Sequence, residues 1–145
     1  MTAVRGIRGA TTVASNDAAE IAGRTAELLI TLRDLNGLVP EDIAYVWFTV
    51  TPDLDAAFPA DAARGSLGWI EVPLLCAREI PVPGALGHCV RVLIAWNTTK
   101  SQGEVVHAFM QGARSLRPNW AYPRRAERRA PYDGPRRRQD DRRGD

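Results

Sequence analysis

Two arginines interrupt apolar segments of this sequence that have the pattern of β-strands. Arg91 lies within CVRVLIAW (89–96) and Arg8 within RGIRGATT (5–12). A guanidinium is almost never buried without an anionic partner, so each of these side chains is expected to meet a carboxylate. That carboxylate belongs either to the protein, as a structural salt bridge, or to a ligand. Two such arginines favour an anion site, because arginine presents a planar fork of N–H donors to a carboxylate.

Glu79 is the natural counter-charge for these arginines. It follows a predicted strand and lies three residues after Cys76, so the carboxylate and the thiol are expected to share one pocket. Taken alone, Glu79 would be interpreted as an exposed loop carboxylate. Phe58 and Arg64 flank a short helical segment, FPADAAR, and taken alone would be a core aromatic and a solvated charge.

Most familiar catalytic signatures are missing from the sequence. It contains no P-loop, no dinucleotide-binding fingerprint and no nucleophile elbow. The two cysteines and two histidines do not have the spacing of a zinc site. The single lysine, Lys100, lies in a predicted loop, which argues against Schiff-base catalysis. The sequence therefore predicts chemistry without a metal ion or a covalent intermediate.

One long amphipathic helix is predicted to support these candidate residues. Apolar side chains recur at three- and four-residue steps over 18–35, and Asn36-Gly37 ends the pattern. Ser15 or Asn16 is placed to cap the start of this helix. Residues 59–65 form a shorter helical candidate with a proline near its first turn.

Strands are predicted where β-branched and aromatic residues are concentrated, at 5–13, 44–51, 71–75 and 89–96. The segment 105–110 is apolar, but it is too short for periodicity to separate strand from helix. One long helix with four or five strands indicates an α+β fold built in layers.

Length and composition limit the class of protein. The chain has 145 residues, 45% of them apolar, which suffices for one domain with a single core. No apolar run approaches the roughly 20 residues that cross a bilayer, and residues 1–12 lack the apolar stretch of a secretory signal. We therefore expect a soluble cytoplasmic protein without a membrane partner, in which Cys76 and Cys89 remain thiols.

The positive charge of the chain is concentrated at its C-terminal end. Residues 118–145 contain nine arginines and five acidic residues, so the preceding 117 residues carry a net negative charge although the whole chain is +2. Beyond Tyr122 apolar side chains are rare and prolines interrupt any periodicity. The sequence predicts a folded domain over 1–118 and an arginine-rich tail over 119–145 that is disordered or loosely attached.

Six segments of the chain match one enzyme family in order, over about residues 4 to 118. They are RGIRGATTV (5–13), TPDLDAAFPADAAR (51–64), GW (68–69), VPLLCAREIPVPG (72–84), CVRVLIAWNT (89–98) and SLRP (115–118). In these segments the sequence resembles the monofunctional chorismate mutases of the AroH type. The resemblance implies a mixed β-sheet packed with one long α-helix, three copies of which assemble into a homotrimeric pseudo-α/β-barrel with active sites at the subunit interfaces. It also implies that 105–109 is a strand.

The activity implied by this resemblance is the cofactor-free [3,3] rearrangement of chorismate to prephenate in aromatic amino-acid biosynthesis. Carried over by position, the residues implied in catalysis are Arg91, Glu79 and Cys76. Those implied in substrate binding are Arg8, Phe58, Arg64, Leu75, Phe109, Leu116 and Arg117. Phe58 and Arg64 fall on positions contributed by the neighbouring subunit. Phe109 stands where the family usually has tyrosine, so only the packing role of that ring is expected here.

The residue types suit this reaction on chemical grounds. Chorismate carries two carboxylates, and its rearrangement breaks a C–O bond and forms a C–C bond within one molecule, with no proton or nucleophile required. The site must hold a near-attack conformer and stabilise the charge that develops on the ether oxygen. We expect Arg91 to donate to that oxygen and Arg8 to bind a carboxylate. Glu79 and Cys76 are expected to hold the ring hydroxyl.

Two other functions are compatible with parts of the sequence. An enamine or imine deaminase would bind a carboxylate through an arginine and activate water, although no deaminase motif is present. A binding module would use the nine arginines of the tail for salt-sensitive contacts with nucleic acid. Five interspersed acidic residues and few aromatic side chains argue against that role, and no nucleic-acid partner is expected.

Overall fold

A computed structural model describes residues 1–124, which form one mixed sheet with helices packed against it. The strands are β1 (Ala3–Thr12), β2 (Ile43–Val50), β3 (Leu74–Arg78), β4 (Cys89–Thr98) and β5 (Ala108–Phe109). The helices are α1 (Ala18–Asn36) and α2 (Ala60–Leu67). The strand order is β3-β2-β4-β1-β5. Strand β4 pairs antiparallel with β1 and β2, whereas β2·β3 and β1·β5 are parallel. The α+β class predicted from the sequence is confirmed, with α2 as a second and shorter helix.

Helix α1 begins at Ala18, where the predicted apolar pattern starts, but its N-cap lies one residue beyond the capping residues named from the sequence. Asp17 is the N-cap, with extended backbone angles, and its carboxylate accepts a 3.0 Å hydrogen bond from the amide of Glu20. The prediction of Ser15 or Asn16 is therefore wrong. Asn16 does not cap the helix, because its side-chain oxygen accepts hydrogen bonds from the backbone amides of residues 55 and 56. The predicted end is confirmed, since Gly37 takes the left-handed conformation at φ 70° and donates to the carbonyl of Arg33.

Two predicted strands differ in extent from the observed ones. Strand β3 starts at Leu74 rather than at residue 71, because Pro73 has no amide to donate to the ladder with β2. Strand β5 covers only Ala108–Phe109 of the predicted 105–109. The side chain of Asn36 explains this shortening, since it binds both the amide and the carbonyl of Val106 and replaces a strand partner there.

The core lies between α1 and the sheet face formed by alternate residues of β1 and β4. Leu28 and Leu32 of α1 pack on Ile7, Val92 and Ile94, all of them buried. Gly9 lies at the point where helix and sheet approach most closely. A Cβ atom built there would be 2.7 Å from Leu32 Cδ1 and 3.0 Å from Val92 Cγ1. Glycine is therefore required at this position by the packing.

The opposite face of the sheet carries apolar side chains that the described residues leave exposed. Trp47 of β2 lies directly between Leu93 of β4 and Leu75 of β3, so the three side chains share one face. Trp47 is 45% exposed and Leu75 is 56% exposed. A contiguous exposed apolar patch of this kind marks a surface for binding another molecule.

The chain after β5 is attached to the edge of the sheet. The amide of Tyr122 donates to the carbonyl of Phe109 at 2.9 Å, and Ala121 forms a bridge with the same residue. The predicted tail began at residue 119, so its first residues, up to Tyr122, contact the fold. Residues 125–145, which make up most of that predicted tail, lie outside the described residues. Among residues 1–124, neither helix is long and apolar enough to cross a membrane.

Replacing Gly9 with alanine is expected to lower the free energy of unfolding by about 1–3 kcal/mol, because the added methyl group collides with Leu32 and Val92. Gly23→Ala is the matched control, since a Cβ atom at this α1 position meets nothing within 4 Å. It should raise the stability by about 0.5–1 kcal/mol through helix propensity. Urea unfolding at one fixed protein concentration measures both. Equal effects of the two substitutions would contradict the close approach at Gly9.

Candidate active site

An ion pair between Arg91 and Glu79 lies at the centre of the candidate site. Arg91 Nη1 is 3.4 Å from Glu79 Oε2, and the hydroxyl of Thr49 donates to the same oxygen at 2.9 Å. Thr49 is the register partner of Arg91 across the β2·β4 ladder, which brings these two side chains to one face. The amide of Ile80 donates to the other carboxylate oxygen. The counter-charge expected from the sequence is therefore in contact with Arg91.

The surroundings of Glu79 keep its carboxylate charged. Partial burial disfavours the charged form, but hydrogen bonds from Thr49 and Ile80 and the positive charges of Arg91 and Arg8 outweigh it. The pKa of Glu79 is consequently lowered from its usual value. The carboxylate oxygens are also fixed in direction by these donors, so Glu79 is oriented as well as charged.

Arg8 enters the same cavity from β1. This cavity of about 250 Å³ is lined by Arg8, Trp47, Thr49, Glu79, Arg91, Val92 and Leu93. Burial lowers the pKa of Arg8, and the positive charges of Arg91 and Arg117 lower it further. Arg91 and Arg117 are thus each close enough to repel the guanidinium of Arg8, and the carboxylate of Glu79 partly counters this repulsion. The site therefore has an excess of positive charge, which suits an anionic ligand.

Arg91 also carries a donor that the protein does not use. Its Nε atom is buried and has no hydrogen-bond partner among the described residues. A buried N–H without an acceptor costs free energy, and an acceptor atom of a ligand in the cavity would remove that cost. Arg91 therefore has donor capacity beyond its ion pair with Glu79.

Cys76 does not share this cavity within one chain. It lies under the start of α2 and lines a different cavity, of about 630 Å³, together with Phe58 and Asp61. The prediction that Cys76 and Glu79 share one pocket is wrong for a single chain, because residues three apart on an extended segment point to opposite faces. Burial raises the pKa of the Cys76 thiol, which keeps it protonated at neutral pH.

Two of the remaining predicted site residues, Phe58 and Arg64, form a second group with Cys76, whereas Leu75 does not. Phe58 is 68% exposed beside Cys76. Arg64 is also exposed, and its Nη2 atom lies 2.6 Å from Asp61 Oδ1, in the next turn of α2. Leu75 is on the open face of the sheet next to Trp47. One chain therefore carries two incomplete sets of site residues: an arginine half (Arg8, Glu79, Arg91) and a thiol half (Phe58, Arg64, Cys76).

The C-terminal candidates lie on the arginine side. Phe109 is buried and packs with Leu116 and Trp120, and the guanidinium of Arg8 lies 5.8 Å from the centre of its ring. The packing role expected for Phe109 is consistent with this position. The guanidinium of Arg117 lies 3.6 Å from the centre of the Trp120 ring.

Four residues near the site were not identified from the sequence. Trp47 and Thr49 line the cavity, while His107 and Trp120 contact Arg8 and Arg117. For Trp47 and Thr49 a signal existed, because alternation in AYVWFTVT places them on one face. Nothing local connects His107 to Arg8, which is 99 residues away in the sequence. Trp120 lies only three residues after Arg117, and that spacing could have suggested their contact. Within residues 1–124, no group of three or more His, Cys, Asp or Glu side chains is placed to hold a metal ion.

Comparison with known proteins agrees with this arrangement. The family model described as chorismate mutase type I matches residues 4–120. The chorismate mutase AroH of Thermus thermophilus is 50% identical over 117 residues, covering 80% of this chain and 95% of that protein. The chorismate mutase AroH of Bacillus subtilis is 38% identical over 124 residues, covering 86% and 98%.

A solved structure gives the same result for the fold. The chorismate mutase from Clostridium thermocellum superposes with a TM-score of 0.73 at 48% identity, covering 77% of this chain and 98% of that one. The family that the sequence segments resemble is therefore confirmed over the whole folded part, in preference to the deaminase alternative. The chain belongs to the type I chorismate mutase family.

Proposed function

We propose that this chain catalyses the rearrangement of chorismate to prephenate, an intramolecular isomerisation in aromatic amino-acid biosynthesis. The observation that carries the proposal is the arginine half, in which clustered guanidiniums face a cavity with too few carboxylates to neutralise them. A substrate with two carboxylates supplies the missing negative charge. Membership of the chorismate mutase family identifies that substrate among small dicarboxylates.

The unpartnered Nε of Arg91 is the group best placed to act on the reacting atoms. As the C–O bond of chorismate lengthens, negative charge grows on the ether oxygen, and a buried donor aimed there stabilises the transition state more than the ground state. The ion pair with Glu79 fixes the guanidinium plane in advance. Arg8 then binds a carboxylate and holds the enolpyruvyl arm over the ring.

Glu79 serves the opposite end of the charge separation. Its ionised carboxylate, held by Thr49 and Ile80, faces the ring portion of the substrate, where positive charge develops. It also accepts a hydrogen bond from the ring hydroxyl. A thiol such as that of Cys76 would contact the same hydroxyl from a second chain, because within one chain it lies in a different cavity.

We infer that the complete site forms between copies of the chain in a homotrimer. Two observations support this inference: the arginine half and the thiol half are separated on each chain, and the open sheet face exposes Trp47, Leu75 and Leu93. Packing that face against another copy buries the apolar patch. The same packing brings Phe58, Arg64 and Cys76 of one copy to the arginine half of the next. Cyclic assembly repeats this contact at each interface.

Arg91→Ala is expected to lower kcat for prephenate formation about 10²- to 10³-fold, the usual effect of losing a preorganised donor. Arg91→Lys should lose a similar factor, because an ammonium on a flexible stem cannot supply the buried Nε–H and the fork together. Arg33→Lys, in the last turn of α1, is the control and should keep full activity. Absorbance decay of chorismate measures the rates. Near-normal activity of Arg91→Lys would contradict the assigned role.

Mixing two inactive variants tests the interface site. Arg91→Ala damages the arginine half and Arg64→Ala the thiol half, so each alone should lose activity. After joint unfolding and refolding at equal concentrations, about a quarter of the interfaces combine two intact halves in a cyclic assembly. Activity should therefore return to about a quarter of the wild-type value. No recovery, in a mixture shown by light scattering to be trimeric, would contradict a site shared between chains.

The activity is expected to be lost only in strong acid. Glu79 must be charged, and because its pKa is lowered from the usual 4.5, the carboxylate stays ionised until the pH falls below that value. The kcat should thus remain level between about pH 8 and pH 5 and fall at lower pH. In Glu79→Gln, kcat should be low throughout and this acid limb absent. An inflection near neutral pH that disappears in Glu79→Gln would contradict the assignment.

A further inference from the structure

A stack of three side chains joins the C-terminal segment to the first strand. The guanidinium of Arg117 lies 3.6 Å from the centre of the Trp120 ring, and that ring lies 4.0 Å from the His107 ring at an angle of 39°. His107 Nδ1 in turn accepts a 2.9 Å hydrogen bond from the backbone amide of Arg8. The stack therefore runs from Arg117 to the strand that carries Arg8. None of the roles assigned above uses Trp120 or His107.

Local backbone geometry brings Arg117 and Trp120 together. Pro118–Trp120 forms a single 3₁₀ turn, and the amide of Trp120 donates to the carbonyl of Arg117 at 2.9 Å. The turn brings Trp120 back beside Arg117, the residue that precedes the turn, and the guanidinium lies over the indole. The hydrogen bond from Tyr122 to Phe109 holds the next residues against the sheet. Arg117 is thus fixed in direction although it is exposed.

His107 completes the stack as a neutral ring. Because Nδ1 accepts from the Arg8 amide, it cannot carry a proton, so the ring N–H is on Nε2. Burial lowers the pKa of His107, and the nearby charges of Arg8 and Arg117 lower it further. A neutral imidazole adds no positive charge beside these arginines and offers its face to Trp120.

Arg117 needs such a support because its charge is repelled by its neighbours. Arg8 and Arg117 are close enough for the charge of Arg117 to lower the pKa of Arg8, as that of Arg91 does. Without an attractive contact, a flexible arginine side chain would turn away into solvent, and binding a ligand carboxylate would then require it to be ordered again. The face of an indole attracts a guanidinium and offsets this repulsion.

We propose that Trp120 is a positioning residue that holds Arg117 ready to bind a carboxylate of the substrate. This inference rests on the proposed function, together with the substrate-binding role that the family resemblance implies for Arg117. The expected effect is on affinity rather than on the chemical step, because Arg117 is not among the residues that line the cavity of Arg8 and Arg91. Preorganisation of this kind strengthens binding by removing the cost of ordering a side chain.

The test is a double-mutant cycle with Trp120→Leu and Arg117→Ala. Trp120→Leu keeps an apolar side chain but removes the aromatic face. It should raise KM for chorismate and Kd for prephenate about 2- to 30-fold, the range that a cation–π contact supplies, with kcat within about twofold. Trp120→Phe should restore most of the affinity. In the Arg117→Ala background, Trp120→Leu should have no further effect.

Lys100→Met is the matched control, because Lys100 makes a similar contact, 5.6 Å from the centre of the Trp96 ring, away from the cavity. It should leave KM and Kd unchanged. Equal losses from Trp120→Leu in both backgrounds, or no loss in either, would overturn the positioning role. Thermal unfolding of each variant shows whether a loss of affinity comes from loss of the fold. If Trp120→Leu does not fold, Trp120→Phe takes its place in the cycle.

Calorimetric titration with prephenate separates this inference from the proposed function. If the wild-type chain binds prephenate with the predicted coupling but does not rearrange chorismate, the proposed reaction is wrong and the positioning role stands. If it rearranges chorismate and the cycle shows no coupling, the positioning role is wrong and the reaction stands. A wild-type chain that does neither contradicts both.

Discussion

Strand β4 forms backbone hydrogen bonds with β1 on one side and β2 on the other, and this double pairing sets the positions of the two arginines of the arginine half. It aligns Arg8 with Leu93 and Thr49 with Arg91. Three chain segments far apart in sequence thus bring their side chains to the same sheet face. On the other face, the absence of a side chain at Gly9 allows α1 to pack closely against the sheet. This packed core keeps the strands from shifting in register.

The electrostatics of the site work against the stability of the free chain. The positive charges of Arg91 and Arg117 lower the pKa of Arg8, and the Nε of Arg91 is buried without an acceptor among residues 1–124. Each of these features costs folding free energy, and each is relieved by a dianionic ligand. The Arg91–Glu79 pair and the aromatic contact beneath Arg117 hold the cations in place before that ligand arrives.

The division of site residues on one chain follows from strand geometry. Cys76 and Glu79 lie at the two ends of a short extended segment and point to opposite faces, so no rearrangement of their side chains brings them together. The open face with Trp47 and Leu75 lies on the side of the arginine half. In the proposed trimer, association both buries this apolar surface and completes the site, which couples folding, assembly and activity.

The sequence alone determined the features that depend on local periodicity and on matched segments. Helix α1 with its glycine end, the strands β1, β2 and β4, the family, and Glu79 as the partner of Arg91 were all predictable. Only the tertiary structure decided which residue caps α1, why β5 is short, that Cys76 and Glu79 line different cavities, and that Trp120 supports Arg117. The cap and the Arg117–Trp120 contact are local, but they depend on backbone and side-chain conformations that the residue pattern does not specify. The short β5 and the separation of Cys76 from Glu79 depend on sheet register and on contacts between distant segments, such as that of Asn36 with Val106. No pattern within a single segment encodes such contacts.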